Sequence, residues 1–575
     1  MSKEQGSENA VSGSQFIKEE KVAEEKEAPR KVSRKDFVKG AAAVAGAGAL
    51  ASCAPAATPT TGPEAAPTCP PAGECAPCLV PGVPETWDKE ADVVVVGFGG
   101  AGGSAALEAH DGGAEVIVLE KSPTPGGATV LCGGIIYAAG TSVQEAEGIT
   151  DTPDEMYEYW MAMAKGLSDP ELARLVADKS AEIVEWFIGM GAEFYSGVAP
   201  QASSGSGEWG LYYSGAEPDP WAAAITPPKM RGHIVEPVEP TWPYPPKYPR
   251  APALDLPWGM GSRGTGFFKP LYEGVQARGS EVLLETSAIS LIVDPTNKEV
   301  LGVKAESDGT ELFIKAKRAV VLASGGFIFN EEMVIRHALD RGSTITGTSA
   351  TYSDTGDGIT MGMAVGAGVV NMAQGVLSYT NSPAGAIMVN DGGRRFVDET
   401  LYRVNAETMK GQRDSLVFAI FDEDIRKAAN VAETTEAPTI SELAIALGMD
   451  PSVLEDTVET YNGYVESGQD LEFGRTRNKR HGDPPDLGMV PITTPPFHAV
   501  KVSGNVSTSA GGLRINTKAQ VIDVFGEVIP RLYAAGRNAG GVIGDMYAGS
   551  GSSIVDVITF GRIAGQNAAA EEPRD

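Results

Sequence analysis

The order of apolar and polar positions divides the chain at about residue 90. Before that point apolar residues are sparse apart from one short run, and glutamate, lysine, serine and proline are frequent. Asp92 to Val96 is then an almost continuous apolar stretch, typical of a parallel strand buried on both faces. Glu115 to Leu119 repeats the pattern after a run of small residues. Strands separated by the length of a helix predict an α/β fold with a parallel sheet.

Apolar residues at helical spacing predict several helices. Residues 168–192 carry such a stripe, and Ser168 and Glu171 have the spacing of a capping box, so we expect a core helix there. Two more helical patterns follow Ser441 and Asp450, which we predict to be their N-caps. None of these stripes predicts a binding site.

The turn after the first predicted strand is rich in glycine. It reads G-x-G-x-x-G and leads into a helix of small residues, so a pyrophosphate can approach the main chain and the free N–H groups of the helix. An acidic residue about twenty positions later ends the second strand, where a carboxylate accepts hydrogen bonds from ribose. The predicted dinucleotide-binding residues here are Gly97, Gly99, Gly100, Ala101, Gly102, Glu120 and Lys121.

Length and net charge exclude some classes of function. The chain has 575 residues and a net charge of −30, so it can bury a large core but lacks the basic surface that nucleic acid requires. No run of 18 apolar residues is present to span a bilayer. We therefore expect two packed domains with tails, and no nucleic-acid partner.

The segment 1–89 is predicted to be an export leader followed by a disordered, proline-rich linker. Arg34 and Lys35 precede a short apolar run, and this arrangement resembles a twin-arginine export signal with lysine in place of the second arginine. Leu50–Cys53 resembles a lipobox, which implies a lipid anchor at Cys53. We expect an extracytoplasmic or membrane-anchored protein, or a cytoplasmic one if the leader is not used. The alternative is a disordered tail without an export role.

Three of the five cysteines lie in this linker. Cys69, Cys75 and Cys78 could be oxidised in a stiff spacer or could take part in redox chemistry, and we favour the spacer. With only three cysteines and no nearby histidine, a closed metal or iron–sulfur site is poorly supported. We predict no metal centre.

Several motifs resemble the flavoprotein family of fumarate reductases and 3-ketosteroid dehydrogenases, and the ketosteroid branch most closely. They are the Gly-Gly-x-Thr segment at Gly126, the segments Lys317–Phe327 and Gly392–Glu399, and two glycine-rich stretches near residues 530–565. The resemblance covers about residues 90–570 and implies FAD rather than a nicotinamide as the cofactor. The further cofactor-binding residues that it implies are Gly126, Gly127, Ala128, Thr129, Ala288, Gly325, Gly326, Gly536, Arg537, Ser552, Ser553 and Ile554.

The resemblance also implies a domain order. A Rossmann-type FAD-binding domain is expected to combine residues 90–344 with residues 491–575, around an inserted α+β cap domain at 345–490. Residues 200–265 contain four of the seven tryptophans and much proline, and form either an apolar lid or an aromatic surface insert. Tyr212–Gly215 and Arg231–Glu236 look like the matching region of the Δ4-(5α) enzymes, which favours the lid.

The same resemblance suggests catalytic residues. Tyr402 falls on the position of a catalytic tyrosine in ketosteroid dehydrogenases, and Arg403 on the proton-delivering arginine of fumarate reductases. Tyr547 and Gly551 match a Tyr-x-Gly-x-Gly motif whose hydroxyl and N–H groups bind the substrate carbonyl in Δ1-dehydrogenases. Such donors acidify the α C–H of a ketone. Tyr402 would then remove the α proton while flavin N5 accepts a hydride.

Two cationic positions of the fumarate-type sites are missing. Thr508 to Gly512 stands where the family has a histidine motif, and Ala548 replaces an arginine. Because a dianion in a dry pocket must be paired, the expected substrate is a neutral, apolar, steroid-like ketone or enone. The electron partner is unknown. The alternatives are an exported fumarate-reductase-type enzyme that reduces an unsaturated organic acceptor, and a binding lipoprotein without chemistry.

Overall fold

The computed structural model describes residues 82–198, 210–217, 220–236, 260–337, 339, 344–345, 350–380, 382–400, 408–475 and 489–574. The export leader, Cys53, Cys69, Cys75 and Cys78 lie outside the described residues, as do Tyr402 and Arg403. Most of the predicted lid also lies outside them. Within the described ranges, no helix is long and apolar enough to cross a membrane.

The strands alternate with helices in the first half of the described chain and dominate later. They are β1 Lys89–Val96, β2 Val116–Leu119, β3 Ile135–Tyr137, β4 Leu211–Tyr212, β5 Gly232–Ile234, β6 Glu281–Leu283, β7 Thr286–Val293, β8 Val300–Ser307, β9 Thr310–Leu322, β10 Thr344–Ile345, β11 Val369–Val370, β12 Gly375–Thr380, β13 Ile387–Asn390, β14 Val417–Asp422, β15 Thr435–Ala437, β16 Phe497–Ser509, β17 Gly512–Arg514, β18 Gln520–Ile522, β19 Val528–Ala534 and β20 Ala539–Gly540.

The helices are of two kinds, long ones that cover the sheets and short ones in connections. The α-helices are α1 Gly100–Asp111, α2 Ser142–Ala146, α3 Pro153–Ala164, α4 Pro170–Gly189, α5 Pro220–Ala223, α6 Met260–Ala277, α7 Glu331–Arg336, α8 Asp357–Ala364, α9 Glu423–Ala428, α10 Ile440–Leu447, α11 Pro451–Ser467 and α12 Ser552–Ala570. Short 3₁₀ helices cover Gly127–Leu131, Arg413–Ser415 and Gly536–Asn538.

The largest sheet has eight strands and joins distant parts of the chain. Its main path runs β18-β19-β9-β1-β2-β6, and β1 pairs in parallel with both β2 and β9. Strand β19, from the last part of the chain, pairs in parallel with β9. Val93 to Val96 are buried, as the apolar run predicts. The predicted parallel α/β fold is therefore confirmed.

Helices α1 and α12 pack against each other through glycine and alanine. A Cβ at Gly561 would lie 2.6 Å from the carbonyl oxygen of Ala101, and one at Gly565 would lie 2.2 Å from that of Ala105. Both distances are shorter than a carbon–oxygen contact allows, so the two helices touch along their backbones. This contact explains the small-residue run in the sequence and brings the glycine turn at residue 97 beside the start of α12.

A second sheet has six strands. Its main path is β10-β16-β14-β13, and β12 and β15 also pair with β16. These strands come from both sides of residue 490, because β16 follows that position. Beside the sheet, Arg395 and Arg475 both bind the carboxylate of Glu399 at 2.9 and 3.0 Å, and Arg395 also binds Asp470.

The predicted helices are present at the expected positions, but two of their predicted N-cap residues were wrong. Helix α4 begins at Pro170, and its cap is Asp169, whose side chain accepts from the N–H groups of Glu171 and Leu172, so the predicted capping box of Ser168 is wrong. The hydroxyl of Ser168 instead bonds to the carbonyl oxygen of Val542. Asp450 caps α11 as predicted, whereas Thr439 rather than Ser441 caps α10.

Part of the predicted lid belongs to a small sheet. Strands β4 and β5 pair with each other, and β5 pairs with β3 in an antiparallel manner. The loop after β4 then meets the loop before α12, because Gly215 and Gly549 form a β-bridge. Residues 210–236 are thus connected to the glycine-rich segment near the carboxyl end of the chain.

Candidate active site

The candidate cofactor site is a groove at one edge of the large sheet. Strands β1, β2, β9 and β19 run in the same direction, so the residues that follow them meet at their carboxyl ends. Gly97, Glu120, Ala323 and Gly536, which follow these strands, all line the groove. Parallel sheets commonly bind ligands at this edge.

Glycine shapes the turn that forms one wall of the groove. Gly97 has φ +101°, and a Cβ there would lie 2.5 Å from the carbonyl oxygen of Ala323. A Cβ at Gly102 would lie 1.8 Å from the carbonyl oxygen of Gly97, so this glycine lets α1 pack under the turn. At Gly99 the nearest atom would be 3.7 Å away. Gly97 and Gly102 are therefore required for close backbone packing, whereas Gly99 leaves room for a ligand.

Glu120 is fixed at the end of β2. Its Oε2 accepts a hydrogen bond from the N–H of Phe98 at 2.9 Å, and its Oε1 accepts one from the N–H of Ser122 at 2.8 Å. Burial raises the pKa of this carboxyl, and the two N–H groups act in the opposite direction. Each oxygen keeps a lone pair, so the carboxylate can still accept from ribose hydroxyls.

The Gly-Gly-x-Thr segment touches the glycine turn directly. The N–H of Gly126 donates to the carbonyl oxygen of Phe98 at 2.6 Å, and the hydroxyl of Thr129 accepts from the N–H of Gly100 at 2.9 Å. Gly126 has φ +119°, which a residue with a side chain rarely adopts. Two segments that sequence analysis assigned separately to the cofactor therefore form one surface.

Most of the predicted cofactor residues line the groove, and the others lie next to it. Gly102 and Gly126 support the turn from behind, Gly326 packs against Ser509, and the predicted residues from α12 lie at the start of that helix. The predicted residues that line the groove are Gly97, Gly99, Gly100, Ala101, Glu120, Lys121, Gly127, Ala128, Thr129, Ala288, Gly325, Gly536 and Arg537.

Tyr547 and Gly551 lie at the start of α12. The phenol oxygen of Tyr547 accepts the N–H of Ser553 at 2.8 Å, and its hydroxyl donates to the Oγ of Ser553 at 2.8 Å. Arg537 also donates to this Oγ. Gly551 caps the helix with φ +99°, and a Cβ there would lie 2.6 Å from the backbone of Ile136. The structure thus connects Tyr547 to Arg537, which lines the groove, through a single serine.

Sequence analysis missed a buried polar cluster behind this loop. Glu217 is 1% exposed, and its carboxylate accepts from the hydroxyl of Tyr137 at 3.0 Å and from the N–H of Gly215 at 2.8 Å. Burial raises the pKa of Glu217 to about 7. Nearby, Arg231 and Asp151 form an ion pair at 2.8 Å, and both side chains are fully buried.

The cluster holds the loop that carries Tyr547. The hydroxyl of Tyr159 donates to the carbonyl oxygen of Ala548 at 3.1 Å, and the N–H of Ser550 donates to the carbonyl oxygen of Ser214 at 2.9 Å. A Cβ at Gly549 would lie 2.7 Å from the ring of Tyr137. The only sequence signal for this contact was the resemblance of Tyr212–Gly215 to the ketosteroid enzymes.

Two more buried acids lie near Arg537. Asp354 lines the groove and Asp556 lies on α12, and they are 4% and 5% exposed. Burial raises the pKa of Asp354 to about 6 and that of Asp556 to about 7, while the charge of Arg537 acts against both shifts. In the described part of the chain, no group of three histidine, cysteine or acidic residues could hold a metal ion.

Comparison with known proteins identifies the family. The FAD binding domain family matches residues 92–554. A fumarate reductase (cytochrome) of Shewanella frigidimarina is 32% identical over 83% of this chain and 77% of that protein. The chain spans 48% of the NADH:fumarate oxidoreductase of Klebsiella pneumoniae, which is 30% identical over 84% of this chain. The solved 3-ketosteroid-Δ4-(5α)-dehydrogenase of Rhodococcus jostii is 31% identical, with a TM-score of 0.71, over 84% of this chain and 98% of that one.

The groove fits FAD on its own chemistry. With FAD bound, the turn at Gly97–Gly102 and the start of α1 would lie against the phosphates, and Glu120 would be the acceptor for ribose. Small residues leave the wall open at Gly99. The predicted cofactor and the predicted class, an FAD-dependent oxidoreductase, are confirmed by these comparisons, and the chain belongs to the FAD binding domain family.

Proposed function

We propose that this enzyme forms or reduces a C=C bond next to a ketone in a neutral, apolar, steroid-like substrate. The observation that supports the proposal is that Tyr547 is connected through Ser553 to Arg537 on the groove wall, in a chain that lacks the two cations that dicarboxylate sites use. Ala548 occupies one of those positions. At the other, Thr508 and Ser509 are buried, and the Ser509 hydroxyl is already bound to the N–H of Phe327.

In this proposal the hydroxyl of Tyr547, which donates to the Oγ of Ser553 at 2.8 Å in the structure, turns to donate a hydrogen bond to the substrate carbonyl oxygen. The N–H of Ser553 already donates to its phenol oxygen, and a hydroxyl that accepts a hydrogen bond becomes a stronger donor. The main-chain N–H of Gly551 is the second donor. Charge that develops on the carbonyl oxygen is thereby stabilised, so the adjacent α C–H becomes more acidic.

Tyr402 is the proposed base that takes the α proton, and Arg403 is the alternative proton carrier. FAD held in the groove would supply the hydride acceptor in dehydrogenation and the hydride donor in reduction. Loss of the α proton to the base and of the β hydride leaves the C=C bond, and reduction returns both. Glu217 and Tyr137 contribute by holding the loop from Tyr547 to Gly551 in place.

An enone panel tests the substrate class. The purified flavoprotein, reduced by a viologen under anaerobic conditions, is offered 3-ketosteroid enones and unsaturated carboxylates, and the flavin absorbance is followed. We expect the enones to reoxidise the enzyme. Tyr547→Phe should lower turnover by about two to three orders of magnitude, the typical effect of removing one oxyanion donor, while flavin stays bound. Tyr157→Phe, on α3, is a control whose turnover should match the wild type.

A second candidate is a fumarate-reductase-type reductase of an unsaturated organic acid. The identity to the Shewanella frigidimarina protein and the position of Arg403 favour it. Reoxidation by unsaturated carboxylates alone, together with normal turnover of Tyr547→Phe, would establish this alternative and exclude the ketone reaction.

We also propose that residues 345–490 contribute a cap over the cofactor, that residues 200–265 form a lid, and that residues 1–89 direct export with a lipid anchor at Cys53. The six-stranded sheet supports the cap, and the bridge between Gly215 and Gly549 supports the lid. Mass spectrometry of the membrane fraction tests the anchor, since lipidation at Cys53 gives a diagnostic N-terminal peptide. An unprocessed chain in the soluble fraction argues against export.

A further inference from the structure

Asp354 is a buried acid on the wall of the cofactor groove. It lies in the loop before α8 and is 4% exposed. Its Oδ2 accepts the N–H of Thr351 at 3.2 Å, and its Oδ1 lies 2.2 Å from the place that a Cβ on Gly325 would take. The carboxyl therefore lies against the backbone of the loop after β9, in the same groove that the dinucleotide enters.

The charges around Asp354 do not neutralise it when FAD binds. The groove is lined by the acids Glu120, Asp354 and Asp357 and by the bases Lys121 and Arg537, which gives one excess negative charge. The diphosphate of FAD adds two more. An anion that enters an enclosed site with an excess of like charge favours the neutral form of a carboxyl.

Each of the two bases also interacts with other groups, so neither neutralises the charge of Asp354 alone. Lys121 binds the carboxylate of Asp357 and the hydroxyl of Thr355, both at 2.7 Å. Arg537 donates to Ser553, and its charge acts on the buried Asp556 as well as on Asp354. Burial already brings the pKa of Asp354 to about 6 against the effect of both cations.

We propose that Asp354 binds FAD as a neutral acid, taking up one proton when the cofactor enters and donating a hydrogen bond inside the groove. The role holds whichever substrate the enzyme takes. Asp354, like Glu120, accepts main-chain N–H bonds, from Thr351 and Gly326, and these bonds oppose its protonation. In the proposal Glu120 remains the ionised acceptor. The groove would then use two acids in opposite protonation states.

The linkage gives FAD affinity a definite pH dependence. A group whose pKa rises on binding takes up protons between its two pKa values, and over that range the dissociation constant increases by up to about tenfold per pH unit. The range starts at about pH 6, where the carboxyl of the free protein titrates. Affinity should therefore be constant below this pH and fall above it.

The test is FAD binding to the deflavinated full chain between pH 5.5 and 8.5, followed by flavin fluorescence. Calorimetry in two buffers of different ionisation enthalpy counts the protons taken up. We expect a rising dissociation constant and an uptake near one proton at pH 7.5 for the wild type. Asp354→Asn should bind with little pH dependence, take up fewer protons, and bind more tightly than the wild type at pH 8.5.

Glu120→Gln is the matched control. It should weaken binding at every pH and reduce the slope and proton uptake only in part, because it removes one negative charge from the groove but leaves Asp354 to titrate. A wild-type affinity that is independent of pH, a proton uptake of zero, or an Asp354→Asn variant that keeps the full slope would each overturn the proposal. A wild-type uptake of zero overturns the proposal even if a variant fails to fold. An uptake near one proton belongs to Asp354, and not to the neighbouring acid Asp556, when Asp354→Asn removes it and Asp556→Asn does not.

Discussion

Replacing Asp556 by asparagine should stabilise the protein at neutral pH and leave it almost unchanged at pH 4. The carboxyl lies on α12, 5% exposed, and burial raises its pKa from 3.8 to about 7. The folded state thus binds the proton more tightly than the unfolded state, so the carboxyl does not lower the free energy of unfolding at pH values below its unfolded pKa. It lowers that free energy increasingly as the pH rises from about 4 to about 7.

The pKa values set the size of the effect. Each pH unit between the two values corresponds to about 1.4 kcal/mol, which gives about 4 kcal/mol at pH 7 and above. Asparagine has nearly the same shape and no charge to bury, so it escapes this cost. Arg537 is the charged neighbour that opposes the pKa shift, and its own charge remains.

Urea unfolding of the FAD-saturated protein at pH 4.5, 5.5, 6.5 and 7.5 measures the difference. We expect the Asp556→Asn variant to gain about 1 kcal/mol per pH unit over the wild type across this range. Asp154→Asn is the control, because that side chain is 85% exposed and should show no such trend. A stability difference that stays constant with pH would refute the reasoning.

Three further changes test the packing. Gly102→Ala should lower stability by about 3 kcal/mol and FAD affinity with it, because the new Cβ would lie 1.8 Å from the carbonyl oxygen of Gly97; thermal unfolding with and without FAD measures both effects. Gly463→Ala should raise stability by about 1 kcal/mol, since nothing lies within 4 Å of its Cβ position in α11, and a lowered melting temperature would contradict this. Arg475→Met should cost about 3 kcal/mol by leaving Glu399 with a single buried cation, and chemical unfolding gives the value.

Local patterns predicted the elements that depend on neighbours in sequence. The apolar run of β1, the glycine turn and the cap at Asp450 each require only a few adjacent residues, and each is present. The predicted N-cap of α4 was wrong because Ser168 and Asp169 are adjacent and both are residue types that cap helices well. A contact of Ser168 with Val542, more than 370 positions away, decided between them.

The candidate site was predicted in part for the same reason. Glycine and Glu120 have a recognisable spacing, so the cofactor groove could be located. Glu217, Asp354 and Asp556 have no such spacing, and their buried environment arises only when distant segments meet. Lys121, for example, finds its partner Asp357 at a separation of 236 residues. Burial of a charged group depends on the tertiary fold, which a single sequence does not display.

The contact between α1 and α12 has a consequence for biosynthesis. While a ribosome is still adding residues near 540, the first helix has been made, but its backbone face at Ala101 and Ala105 has no partner, because Gly561 and Gly565 are not yet translated. Strand β9 also lacks its parallel partner until β19 has been synthesised. Cofactor loading is therefore expected only after residues up to about Gly565 have left the exit tunnel, and nascent chains arrested before that point should not retain flavin.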